Sequence, residues 1–169
     1  MSTRAQKSGA AWGIEKKMEE NYDREEAQGT PKKIMTWINE VMSSNDKDYK
    51  PLDEKEFDWK SICTFLRDGV VLCKFLNVLM EKAGCGKVSF SKKVANNFAA
   101  MTNIENFNKG CEQYGLAREF SFQSGDLWEL RKGPFYNVIN CLHSLGFVAN
   151  SRSFIPGYTG EVTKYMDRD

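Results

Sequence analysis

The sequence predicts an all-α domain. Apolar residues recur at three- and four-residue spacing in four separate segments. Sustained period-two alternation appears nowhere, and proline or glycine punctuates most ends of the periodic segments. These are the marks of amphipathic helices and their boundaries, and they argue against a sheet.

Each helix follows from its own stretch of chain. In residues 1–29, Trp12, Ile14, Met18 and Tyr22 recur at roughly helical spacing in a polar background. That segment reads either as a short docked helix or as a flexible tail. Thr30-Pro31 is a helix start, because Thr can cap and Pro is pre-organised for the first turn. Ile34, Trp37, Ile38, Val41 and Met42 then make one apolar face, ending near Ser43. Residues 43–57 are polar, contain Pro51 and read as a loop.

From about Asp58 to Lys82 the chain is strongly apolar. Ile62, Phe65 and Leu66 lead, Asp68-Gly69 interrupts, and Val70, Leu72, Cys73, Leu76, Leu79 and Met80 continue. The pattern predicts a short helix, a bend and a longer buried helix stopped at Gly84. A third main helix spans roughly Asn97 to Tyr114, with Phe98, Met101, Ile104, Phe107, Cys111 and Tyr114 on its inner face. Ser124-Gly125-Asp126 opens a short turn carrying Leu127, Trp128 and Leu130. The fourth main helix starts at Pro134, buries Phe135, Val138, Ile139, Leu142 and Leu145, and stops at Gly146. Residues 148–169 read as an extended tail with Phe154 or Tyr158 packing back.

The chain has 169 residues, the size of one domain with two tails. Its 24 basic and 23 acidic side chains give a net charge of +1, which argues against a generic nucleic-acid binder. The five cysteines form no Cys-x-x-Cys pair and no apolar leader precedes the domain, as expected of reduced thiols in the cytoplasm. Cys85, between two glycines, is the thiol expected to be most exposed. No stretch is apolar enough to span a bilayer, and nothing in the sequence demands more than a monomer.

Chemistry-bearing motifs fail on inspection. Gly84-Cys85-Gly86-Lys87 resembles the end of a phosphate loop, but Glu81 and Val88 stand where Gly and Ser or Thr are required. His143 is the single histidine, which excludes multi-histidine metal sites, and it reads as an ordinary helix-surface or core-edge residue. Carboxylates at 15–26 and 53–58 are mixed with lysines and lack the twelve-residue calcium pattern. No catalytic residue, cofactor site or metal site is assigned. The one clear charge excess is in 82–93, where Lys82, Lys87, Lys92 and Lys93 occur without an acid. It reads either as a solvated loop or as part of a surface that meets an acidic partner.

Several of these segments together resemble the calponin homology domain. FLRDGVVLCKFLN (Phe65–Asn77) is similar to its buried signature helix. MTNIENFNKGCEQYGL (Met101–Leu116), FQSGDLWE (Phe122–Glu129) and NVINCLHSLG (Asn137–Gly146) are similar to later elements, and Trp37-Ile38 falls at its first-helix Trp-Ile. AAWGIEKKMEENYD (Ala10–Asp23) resembles the lead-in of the single-domain transgelin and calponin branch. The sequence given ends without the Ile-Gly-Leu-Gln repeat usual in that branch.

The resemblance implies a single calponin homology domain at 30–147, with four main helices plus short connecting ones, an N-terminal extension at 1–29 and a tail at 148–169. It makes Trp37, Leu66, Asp68, Gly69, Leu72, Leu76, Ile104, Phe107, Leu127, Val138 and Leu142 fold-setting rather than catalytic. It also implies a non-enzymatic module of the actin cytoskeleton, with F-actin or another cytoskeletal or signalling protein as partner and no nucleic acid. The alternative is a microtubule- or signalling-protein-binding module without actin affinity. The candidate contacts are Lys32, Lys33, Lys82, Lys87, Lys92 and Lys93. In the family's tandem members, filament contacts are assigned to stretches matching about 32–43 and 66–107.

Overall fold

A computed structural model describes residues 9–161; residues 1–8 and 162–169, the outer parts of the two tails, lie outside the described residues. The described residues are helical, without strands. The order is α1 Gly9–Ala27, α2 Thr30–Asn45, α3 Trp59–Leu66, α4 Val70–Ala83, α5 Asn97–Tyr114, α6 Gly125–Trp128 and α7 Lys132–Ser151. Single 3-10 turns at Glu54–Glu56 and Arg118–Phe120 lie in the connectors.

The centre is built from α2, α4 and α7. Helix α4 packs on α2 and α5, and α7 packs on α1, α2, α3 and α6. Trp37, Leu66, Leu72, Leu76, Ile104, Phe107, Leu127, Val138 and Leu142 are all essentially inaccessible to solvent. Phe75 meets the Trp37 ring edge-on at 4.9 Å between centroids.

The bend between α3 and α4 depends on Gly69. Its φ of +79° is one that a side chain resists. A Cβ there would also stand 2.9 Å from Asn103 Cβ, so α5 sits as close as it does because residue 69 has no side chain. Gly69 holds the cap position of α4, and Asp68 just ahead of it accepts the Val70 N–H.

Four expectations need correction. First, the segment 1–29, which read as a docked helix or a tail, carries the docked helix α1 of 19 residues beside the four main helices expected. Its inner face is not the apolar one predicted, since Trp12 and Ile14 are 54% and 63% exposed. Glu15, Tyr22 and Glu25 are buried instead. Tyr22 meets Phe135, Glu15 pairs with Arg131, and Lys132 Nζ lies 2.8 Å from Asp23. Ion pairs contribute to that interface, so counting apolar residues misplaces it.

Second, Thr30 does not cap α2. Gly29 holds the cap position at φ +82°, and the Thr30 hydroxyl donates to the buried Glu25 carboxylate at 2.7 Å. Third, Phe98 and Met101 point out of α5, at 79% and 36% exposure. Steps of three slip about 60° round a helix each time, so these two drift off the face on which Ala100, Asn103, Ile104 and Phe107 are buried.

Fourth, Gly146 does not end α7, which continues to Ser151. The glycine serves close approach instead, because a Cβ there would collide with the Tyr158 ring. Beyond α7 the chain folds back, and Phe154 and Tyr158 are buried. The Asn150 side chain donates to the Tyr158 carbonyl and accepts its N–H, each at 2.9 Å. Trp37 Nε1 donates to the Pro156 carbonyl at 2.8 Å, which ties this segment to α2.

Candidate functional site: a pinned basic loop

Between α4 and α5 the chain crosses residues 84–96 without regular structure. A loop of that length would ordinarily wander. Three asparagines hold this one. Asn77 on α4 accepts the Val88 N–H at 2.7 Å and donates to the Val88 carbonyl at 3.1 Å. Asn103 on α5 accepts the Ser91 N–H at 2.8 Å and donates to the Ser91 and Asp68 carbonyls, both at 3.0 Å. Asn106 donates to the Ser89 carbonyl at 2.9 Å. Backbone groups of Val88, Ser89 and Ser91 therefore find partners on the two helices the loop joins. Gly110 completes the seat, because a Cβ there would run into the side chains of Val88 and Leu76.

Sequence reasoning placed Asn77 and Asn103 inside family motifs without giving them a task. The available signal was position. Asn103 directly precedes Ile104 and stands one turn before Phe107, so it lies near the inner face of α5. A buried amide there needs partners.

The six candidate lysines do not form one patch. Lys87 and Lys92 line a groove of about 680 Å³ between α2, α4 and the loop. Lys74, absent from the sequence-based set, joins them on the α4 wall. Asp46, Asp48 and Glu81 line the same groove, so its charge is mixed. Lys93 is exposed on the loop nearby in sequence.

Lys82 lies apart, over a smaller hollow of about 290 Å³ shared with Tyr114 and Arg152. Helices α4, α5 and α7 all end close to this hollow, where their terminal carbonyls favour cations. Arg152 Nε donates to the Tyr114 carbonyl at 2.8 Å, and its guanidinium lies over the Tyr114 ring. Charge complementarity to helix ends is therefore a sufficient local role for Lys82. At the start of α2, Lys32 is exposed and pairs with Glu54 at 2.9 Å, while Lys33 is half-buried.

The groups with reactive side chains are placed for packing. Cys63, Cys73, Cys111 and Cys141 are buried, and Cys85 is half-buried. Burial pushes the Cys63 and Cys73 thiols up to about 12, away from the nucleophilic thiolate. His143 is buried, contrary to the surface or core-edge position expected of it, and its Nδ1 lies 2.6 Å from the Tyr158 hydroxyl. Among the described residues no cluster of His, Cys, Asp and Glu could hold a metal ion, and no helix is long and apolar enough to cross a membrane.

Comparison with known proteins bears on this arrangement. The model of the calponin homology (CH) domain matches residues 28–151. Muscle-specific protein 20 of Drosophila melanogaster is 42% identical over 81 residues, 48% of this chain and 41% of that protein. Myophilin of Echinococcus granulosus is 29% identical over 155 residues, 92% of this chain and 70% of that protein. Rac guanine nucleotide exchange factor B of Dictyostelium discoideum is 29% identical over 115 residues, 68% of this chain but 8% of that protein. The chain thus spans less than half the length of two of these relatives. No solved structure matches significantly. With the family model covering most of the chain, including α2 through α7, this protein belongs to the calponin homology domain family.

Proposed function

We propose that this chain is a non-enzymatic binding module of the actin cytoskeleton, and that it meets an acidic filament through the pinned loop. The observation that carries the reading is the seating of Lys87, Lys92 and Lys93 on a backbone fixed by Asn77, Asn103 and Asn106. Rim charges mainly steer encounter and add modest affinity. Fixing the backbone beneath them lowers the ordering cost of contact. The name of the Drosophila relative places that protein in muscle, which suits the reading. A weak filament contact and an adaptor role share this surface. Cytoplasmic localisation beside the cytoskeleton, and action as a monomer, belong to the same proposal.

The test is parallel co-sedimentation with F-actin and with microtubules over a salt series. The protein is expected to pellet with F-actin at low salt and to be released as salt rises. Lys92→Ala with Lys93→Ala is expected to weaken pelleting roughly three- to tenfold. Thermal stability should be almost unchanged, since both lysines are exposed. Pelleting with microtubules alone would move the module to the other filament. Pelleting with neither at low salt would overturn filament contact.

A further inference from the structure

The segment after α7 is held by contacts that converge on one titratable group. Tyr158 lies in the notch left by Gly146, with its ring centroid 5.3 Å from Trp37 and 5.8 Å from Phe147. Its hydroxyl meets His143 Nδ1 at 2.6 Å, and the imidazole is 4.6 Å from the Phe147 ring. The same segment gives its Pro156 carbonyl to Trp37 and its Tyr158 backbone to Asn150. His143 is thus wrapped by aromatic rings at the junction of α7, α2 and the returning chain.

We propose that residues 152–161 form an acid-sensitive strap, closed while His143 is neutral and released from Trp37 and the Gly146 notch when His143 takes up a proton. The chemistry follows from hydrogen-bond polarity. A tyrosine hydroxyl raised in pKa by burial stays protonated and donates to a neutral Nδ1 acceptor. Once Nδ1 carries a proton, the hydroxyl must turn to accept, and its own hydrogen loses that partner in a buried site. The imidazolium must also be held away from water.

The charged neighbours on each packed element act in both directions. Glu25 on α1 favours the imidazolium, as does the Glu161 backbone on the strap, while Lys33 on α2 opposes it. Burial is the largest effect, and it lowers the His143 pKa below the ordinary 6.5. The open strap exposes the ring and restores the ordinary value. Closure is therefore fully favoured above about pH 6.5 and loses stability as pH falls from there towards the depressed closed-state value.

A single histidine makes the test clean. Nitrogen-15 NMR of the imidazole, with amide hydrogen exchange at Tyr158, would be followed from pH 8 to pH 5 on the whole chain. At pH 8 the ring should be neutral, with hydrogen on Nε2. Below pH 6.5, Tyr158 exchange, corrected for intrinsic rate, should rise severalfold relative to core amides such as Leu76. His143→Phe should abolish that pH dependence, and Tyr158→Phe, which keeps the ring, should reduce it. If His143→Phe does not fold, Tyr158→Phe alone decides. Protection of Tyr158 that does not vary with pH would overturn the proposal. So would pH dependence unchanged in either variant, which would place the titrating group elsewhere.

Discussion

Trp37→Ala should destabilise the protein by about 3–5 kcal/mol, at the upper end of core truncations. The indole is 1% exposed and makes three kinds of contact at once. It fills the space between α2 and α4, where Phe75 stands against its face. It is within ring-packing distance of Tyr158, and its N–H satisfies the Pro156 carbonyl. Truncation leaves a cavity bounded by three separate elements, which cannot all collapse into it. Urea denaturation measures the loss. Trp37→Phe separates the contributions, because it keeps much of the volume and removes the hydrogen bond. Its cost should be about 1–2 kcal/mol. Equal losses for the two variants would assign the effect to the hydrogen bond, and a near-zero loss for Trp37→Ala would contradict the packing described.

Asn103→Ala should cost about 2–4 kcal/mol, although it removes only a small polar group. The side chain is fully buried and serves the Ser91 N–H, the Ser91 carbonyl and the Asp68 carbonyl. Deleting it leaves three backbone groups without these partners at the junction of loop, bend and α5. Asn103→Asp offers a sharper comparison. A carboxylate still accepts from Ser91 but cannot donate to either carbonyl, and it brings charge into a buried site. Both variants should unfold at lower urea, and amide exchange at Ser91 should rise more in the alanine variant, which loses the acceptor. Filament affinity should fall in the alanine variant even though no lysine has been touched. Full retention of affinity with a mobile loop would remove the pinned loop from the binding account.

Helix α5 shows how far sequence carried the fold. Its ends, Asn97 and Tyr114, were legible because Gly115 stops it and periodicity fills it. Its inner face was legible at Ile104, Phe107 and Cys111 but not at Phe98 and Met101. A chain of three-residue steps does not stay on one face, and the buried line instead runs through the small Ala100 and the polar Asn103, which an apolar count passes over. Helix α1 failed in the opposite way, since its docked face includes Glu15 and Glu25 and its partners Arg131 and Lys132 lie more than a hundred residues away. Ionic interfaces of that kind have no local signature.

The candidate site was half legible. A run of lysines without acids is visible in any reading of 82–93. That Lys82 faces away to a meeting of helix ends, and that Lys74 joins Lys87 and Lys92, depends on how α4 turns beside the loop. The asparagines were hidden by their ordinariness. Polar residues inside helices are usually solvated, and only the tertiary arrangement distinguishes Asn103 from its exposed neighbour Thr102.

The docking of α1 alters what a shortened chain can report. A fragment begun at Thr30 would strip Tyr22 from Phe135 and leave Arg131 and Lys132 without Glu15 and Asp23. It would present a newly bared apolar and cationic face of α7 to any acidic polymer. Such a fragment could pellet with a filament through a surface that the whole protein keeps covered. Trimming confined to residues ahead of Gly9 leaves that cover in place, and so isolates the contribution of the outermost residues from an artefact of exposure.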